Sequence, residues 1–176
     1  MTDPLQFRLA TDADVDALVA LIESAYRGDA SRVGWTTEAD LLEGQRTDPT
    51  SLRAVLAEPD SRIVLALAGT ELVACANIRR HGSEYCYFGL FSVRPSLQGG
   101  GVGRRLLAEC ERMARDELGC RIMDMSVIVQ RPELIAWYVR RGYHDTGRRK
   151  PFPYGDLLNG KPLRDDLAFV VMEKTL

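Results

Sequence analysis

Between Leu90 and Leu107 the chain reads LFSVRPSLQGGGVGRRLL, and these residue types in this order suit phosphate binding. An apolar run ends at Val93, and a turn through Pro95 and Ser96 follows. Then come Gly99, Gly100, Gly101 and Gly103, and a helical start at Arg104, Arg105, Leu106 and Leu107. A strand, a glycine turn and a helix aim the first N–H groups of the helix, which have no partner inside it, at one point. The helix dipole is positive there, so an anionic phosphate fits. Glycine lets the backbone come close to a ligand and tolerates positive φ. Spacing excludes two common cradles. A Walker loop needs Gly-Lys-Ser/Thr, and no Lys follows this turn. A G-x-G-x-x-G fingerprint fails because its last position is Arg104 counted from Gly99 and Leu106 counted from Gly101. What fits is Gln-x-x-Gly-x-Gly, on Gln98, Gly101 and Gly103.

That spacing resembles the pyrophosphate signature Arg/Gln-x-x-Gly-x-Gly/Ala of the GNAT superfamily of N-acetyltransferases. The preceding LFSV-x-P resembles the family's fourth strand. A second stretch, RPELIAWYVRRGY from Arg131 to Tyr143, is similar to the family segment Asn-x-x-Ala-x-x-x-Tyr-x-x-x-Gly-Phe/Tyr. Tyr138 falls on its tyrosine, and Gly142 and Tyr143 on its closing pair. Two positions depart: Arg131 stands in place of Asn, and Leu134 in place of Ala. The usual Asn contact to the pantetheine arm is therefore missing, and Arg131 could reach phosphate instead. The matched segments and the strand between them cover about a third of the chain.

The resemblance implies acetyl transfer from acetyl-CoA, as co-substrate, to a primary amine, by direct attack with both substrates bound. Gln98, Gly99, Gly100, Gly101, Val102, Gly103 and Arg104 would hold the pyrophosphate. The strand end at Phe91, Ser92 and Val93 would pair with the pantetheine arm by strand addition. The Phe91 N–H would polarise the thioester carbonyl. A thiol has a pKa of about 8.5 and a tyrosine about 10, so the Tyr138 phenol is the expected general acid for the departing thiolate. Without the resemblance, Tyr138 reads as a core tyrosine beside Trp137.

An alkyl amine has a pKa of about 10.4 and must lose a proton to attack. Glu38, Glu84 or a chain of waters could take it; both carboxylates also read as solvated surface acids. Trp35 either pins an exposed connector to the core or forms a wall of the acceptor pocket. With Glu38, Phe152 and Tyr154 it would suit a small amine or amino acid with an apolar part, framed by residues 34–46 and 151–166. Basic runs at Arg140-Arg141 and Arg148-Arg149-Lys150 could touch the CoA 3′-phosphate or RNA, although most such runs are solvated faces. His81 and His144 are isolated, and no metal site is expected. The alternative function is an acyl-CoA sensor without turnover.

The elements that must position these groups follow from periodicity. Residues 5–9 read as a strand. Thr11 caps a helix whose apolar stripe is Val15, Leu18, Val19, Ile22, Ala25 and Tyr26, stopped at Gly28. A short helix is expected over 38–45, and another from Asp48-Pro49 through Ala57. Residues 62–68 and 71–79 form a hairpin about Gly69-Thr70, and 84–93 the next strand. A helix over 104–118 carries Leu106, Leu107, Cys110, Met113, Ala114 and Leu118 on one face. A doubly buried strand over 121–129 and a helix over 133–141 follow, then a strand over 143–147. A long loop leads to the last strand at 167–172.

The fold class is α+β: a GNAT-like acyl-CoA N-acyltransferase fold with a central mixed, mostly antiparallel sheet flanked by helices, in one domain over 1–176. Charged residues are 27%, hydrophobic ones 45% and the net charge is −2. Bulk charge thus points to neither nucleic acid nor an anionic membrane. No apolar run or signal segment is long enough to cross or enter a membrane. Cys75, Cys86, Cys110 and Cys120 lack metal spacing and read as buried free thiols of a cytoplasmic protein. A homodimer stays open.

Overall fold

Residues 63–66 and 73–78 are buried without interruption, which an antiparallel strand pair achieves only when helices cover both of its faces. The computed structural model, which describes residues 4–155 and 160–176, builds that arrangement. In order the elements are β1 (Leu5–Leu9), α1 (Val15–Tyr26), α2 (Gly28–Ser31), β2 (Leu42–Glu43), α3 (Pro49–Ala57), β3 (Ser61–Ala68), β4 (Glu71–His81), β5 (Tyr85–Val93), α4 (Val102–Asp116), β6 (Ile122–Ile128), α5 (Pro132–Val139), β7 (His144–Pro151), β8 (Lys161–Pro162) and β9 (Ala168–Thr175). Seven strands form one sheet in the order β1-β3-β4-β5-β6-β9-β7. Every neighbouring pair is antiparallel except β5–β6. That pair is joined by the α4 crossover, and a parallel connection requires such a crossover.

Two cores sit on opposite faces. On one, Val15, Leu18 and Ile22 of α1 and Leu52 of α3 pack on Ile63, Leu65 and Cys75. On the other, Leu106, Leu107, Cys110 and Ala114 of α4 pack on Val64, Ala74, Ile78 and Met123. Burying one such leucine or isoleucine is worth about 1.5–3 kcal/mol. α1 is set against β1 by Asp14. Arg8 donates to both of its carboxylate oxygens at 2.8 Å, and Thr11 N–H donates to Oδ2 at 2.8 Å. All four cysteines are free and buried. Burial pushes the Cys75 and Cys86 thiols up to about 12. No helix among the described residues is long and apolar enough to cross a membrane.

The helix expected over 38–45 is instead a turn followed by β2, which pairs with β8 through Leu42↔Pro162 and Glu43↔Lys161. Tertiary packing overrides local propensity here. Leu41 and Leu42 are drawn into a third cluster with Ile128, Phe152 and Leu167, and Gly44 at φ 86° leaves the helical region. The expected long loop after residue 147 is in part structured, since β7 continues to Pro151 and β8 lies within the loop. Residues 156–159 of that expected loop lie outside the described residues. Helix α4 starts and stops two residues earlier than expected, and the short helix α2 begins at Gly28.

Asp14 titrates at about 2, lowered first by its hydrogen bonds from Arg8. A depressed carboxylate contributes stability above its unfolded pKa and loses it as pH falls through the folded one. Asp14→Asn is therefore expected to cost about 1 kcal/mol in urea unfolding near neutrality. The gap should close as the pH is lowered from about 4 towards about 2, and a constant gap would contradict the assignment.

Candidate active site

A parallel pair of strands that parts midway leaves backbone polar groups without a ladder partner. β5 and β6 pair only at Tyr85↔Ile122, Cys86↔Met123 and Tyr87↔Asp124. A bulge accompanies the parting: Cys75 of β4 pairs with Ser92 but Asn77 with Gly89, so β5 carries one extra residue there. Leu90 sits in this bulge at φ 50°, uncommon for a non-glycine residue. The carbonyls of the bulge are held. Ser92 Oγ donates to Leu90 O at 3.0 Å, and the Cys75 thiol to the same oxygen at 3.7 Å. The Tyr26 hydroxyl, at the end of α1, donates to Phe91 O at 2.7 Å. Two cavities of about 460 and 440 Å³ open at the break. Tyr26, Phe91, Arg131, Leu134 and Tyr138 border both of them.

The first cavity contains the glycine turn. Gly99 and Gly101 adopt φ 87° and 86°, and α4 starts at Val102, so the N–H groups of its first turn face outward. A Cβ on Gly103 would lie 3.0 Å from Phe91 Cζ and 3.3 Å from Val93 Cγ2. Only glycine lets the helix press this closely on the end of β5. Gln98 Nε2 donates to Val93 O at 3.2 Å, while its buried Oε1 lacks a donor. A Cβ on Gly34 would stand 2.0 Å from that oxygen, so the connector passes close over the Gln98 amide, and a side chain there would displace it. Arg141 lies over the Trp137 ring, 3.7 Å from its centroid, and burial lowers its pKa. Its buried Nε has no acceptor. Outward amides, cationic Arg104 and Arg141, and unpartnered buried polar atoms fit a long polar anion such as the diphosphate end of CoA.

Tyr138 is 4% exposed and packs edge-on to Trp137 and Tyr143. Among the described residues nothing pairs with its hydroxyl. Burial pushes its pKa well above the ordinary tyrosine value, so the phenol keeps its proton at neutral pH. Tyr26 is likewise pushed up to about 12 by burial, but its proton is committed to Phe91 O.

Three charges are buried at the wall between the cavities. Arg27 Nη1 donates to Glu38 Oε2 at 2.5 Å, and Arg131 Nη1 to Glu38 Oε1 at 3.1 Å. Arg131 Nη2 donates to Thr36 Oγ1 at 2.8 Å, and Thr36 in turn to Glu133 at 3.2 Å. Arg27, Glu38 and Arg131 are 6%, 7% and 7% exposed.

The structure gathers Phe91, Val93, Gln98, Gly99, Gly100, Gly101, Gly103, Arg104, Arg131, Trp35 and Tyr138 around the first cavity, and Glu38 and Phe152 at the second. Trp35 thus stands on the cradle side, not the side of Phe152. Arg131 is turned to Glu38 and Thr36, and both oxygens of Glu38 are already taken by guanidinium groups. The Ser92 hydroxyl is used inside the bulge, and Val102 packs against the core. Glu84 lies in the turn at the far end of β5, 3.8 Å from Arg121, and borders neither cavity. Sequence reasoning missed Tyr26, Arg46 and Tyr87 as site residues. Tyr26 had a signal: a hydroxyl at the end of an apolar helix stripe needs a buried acceptor. Among the described residues no group of three or more His, Cys, Asp or Glu is placed to hold a metal ion.

A sheet opened between β5 and β6, with a glycine cradle at one mouth of the gap, defines an acyl-CoA N-acyltransferase fold. Residues 17–143 match the Acetyltransferase (GNAT) family, and the chain belongs to that family as an N-acetyltransferase enzyme. It is 33% identical over 156 residues to an IAA acetyltransferase of Azospirillum brasilense, a match covering 84% of this chain and 92% of that protein. The fold is similar to a ribosomal-protein-alanine N-acetyltransferase from Brucella melitensis at TM-score 0.71 and 21% identity, covering 97% and 99% of the two chains. It is also similar to a GNAT family acetyltransferase from Elizabethkingia anophelis with acetyl-CoA bound, at TM-score 0.67 and 15% identity, covering 99% of each.

Two substitutions test this geometry. Glu38→Gln leaves two buried guanidinium groups without their carboxylate and should cost about 3–5 kcal/mol in urea unfolding. A loss under about 1 kcal/mol, as for a surface pair, would contradict the buried arrangement. Gly103→Val drives its side chain into Phe91 and Val93, and should raise the calorimetric Kd for acetyl-CoA at least about tenfold.

Proposed function

We propose that the protein transfers the acetyl group of acetyl-CoA to the primary amine of a small molecule held in the second cavity. The observation that carries this reading is the meeting of the two cavities at the β5 break, with Phe91 and Tyr138 on both. The acetyl-CoA bound to the Elizabethkingia neighbour supports the cofactor, and the name of the Azospirillum relative supports the acetyl group.

Acetyl-CoA supplies the acyl group as a thioester. In this reading Gln98, the amides of residues 99–104 and the Arg104 and Arg141 guanidinium groups bind the diphosphate end. The free edge of β5 pairs with the amides of the pantetheine arm. Ser92 and Cys75 hold the Leu90 carbonyl, which fixes the Leu90–Phe91 peptide plane and leaves the Phe91 N–H to donate to the carbonyl oxygen under attack. Tyr26 fixes the next peptide through the Phe91 carbonyl. Tyr138 keeps its proton until a sulfur anion develops beside it, then donates a hydrogen bond and the proton. Its raised pKa makes free transfer to a thiolate uphill, so donation is coupled to loss of the amine's proton, and the phenolate takes back a proton from the water that receives it. Glu38 is an unsuitable base because both oxygens are engaged, and Glu84 is remote. The amine's proton therefore leaves to water in the second cavity. Holding both reactants at the break removes the entropy cost of their encounter.

Tyr138→Phe is expected to lower kcat for release of CoA thiol about 10–100-fold, with little change in KM for acetyl-CoA. Among the described residues the hydroxyl has no protein partner, so unfolding free energy should move by less than about 0.5 kcal/mol. An unchanged kcat would remove Tyr138 from the mechanism. Tight acetyl-CoA binding without release for any amine would favour a sensor.

A further inference from the structure

The second cavity is strongly cationic for the site of an amine. Arg27, Arg46, Arg131 and Lys150 border it, and Glu38 is its one carboxylate among the described residues. Glu38 is shared by Arg27 and Arg131, so one carboxylate stands against four cations, and Arg46 and Lys150 have no ion pair with it. Lys150 is on the exposed edge strand β7 and adds a general field. Arg46 is held in place. Its backbone N–H and that of Thr47 donate to Glu23 Oε1 at 2.6 and 2.7 Å, and its guanidinium lies over the Tyr26 ring at 5.1 Å. Among the described residues nothing accepts from that guanidinium. Burial raises the pKa of both Tyr26 and Tyr87, and Arg46 acts on each in the opposite sense, so its charge is felt at two phenols of the cavity wall.

A planar guanidinium, stacked on an aromatic ring with its N–H fork unused, is matched to a carboxylate. Its distance from the reaction point is set by one side chain. Tyr26 carries Arg46 on its ring and reaches Phe91 O with its hydroxyl at 2.7 Å. An anion on Arg46 is thus one phenol's length from the strand break, so anion and amine belong to a single small molecule. The apolar part of the wall comes from Leu42, Met125, Phe152 and Phe169. A polyamine would meet like charge here, which opposes binding.

Resting on the transfer reading above, we propose that the acceptor is an amino acid with an apolar side chain, its carboxylate seated on Arg46 and its side chain against Phe152 and Phe169. The test is CoA thiol release with matched pairs: leucine and isoamylamine, methionine and its decarboxylated amine, phenylalanine and phenethylamine, with spermidine beside them. At least one amino acid should exceed its decarboxylated partner in kcat/KM by about 100-fold, mainly through KM. Arg46→Ala should collapse that ratio, and Arg46→Lys should retain part of it. Calorimetry of the amino acid into protein saturated with CoA should show the same ranking without chemistry. Equal values within each pair, or a preference for the decarboxylated amines or spermidine, would overturn the carboxylate assignment while leaving acetyl transfer intact. A ratio that survives Arg46→Ala would remove Arg46. No release with any amine would overturn the transfer reading, and this inference with it.

Discussion

A strand abandoned by its neighbour must find other partners for its backbone, because buried peptide groups without hydrogen bonds are costly. The site follows from that constraint. β5 leaves β6 after Tyr87, and the bulge turns its carbonyls to Ser92, Cys75 and the Tyr26 hydroxyl. What is left at the gap is an edge with unused hydrogen-bonding capacity and a cavity on each side of it. The helix that covers the gap presses against it because residue 103 has no side chain. Sheet, helix and cradle are therefore parts of one packing solution.

The connector after α1 is tied down by charge as well as by the apolar cluster of Leu41 and Leu42. Isolated buried charges are prohibitive, and a buried carboxylate between two guanidinium groups persists only because the geometry compensates each member. Here the three come from α1's end, the connector and the start of α5. The group therefore fixes the spatial relation of the segments that wall both cavities. That role explains why residues that look chemically versatile in the sequence are structural in the folded chain. It also removes the anion from the second cavity's balance and leaves Arg46 to define it.

Much of this was legible in the sequence for identifiable reasons. The glycine turn before α4 was readable because glycine spacing reports backbone shape directly. The place of Tyr138 at a cavity wall was expected from its spacing to Gly142 and Tyr143. The cores on both faces followed from helical periodicity in α1 and α4, which tertiary contacts reinforce. The stretch 38–45 was not readable, because Leu41 and Leu42 answer to Phe152 and Leu167, far along the chain. Arg131 and Glu38 were visible as charges, but no local pattern announces that residues 93 positions apart are bonded to each other. Tyr26 sat on an apolar stripe and read as core until its hydroxyl met Phe91.

The cysteines carry one more consequence. An enzyme of this family works beside a thioester and liberates a thiol, the two partners of thiol exchange. The attacking species in such exchange is the thiolate. All four thiols here are buried, and burial raises the pKa of each. They are kept protonated and out of reach, which guards them against acylation by a thioester and against mixed disulfides with a free thiol.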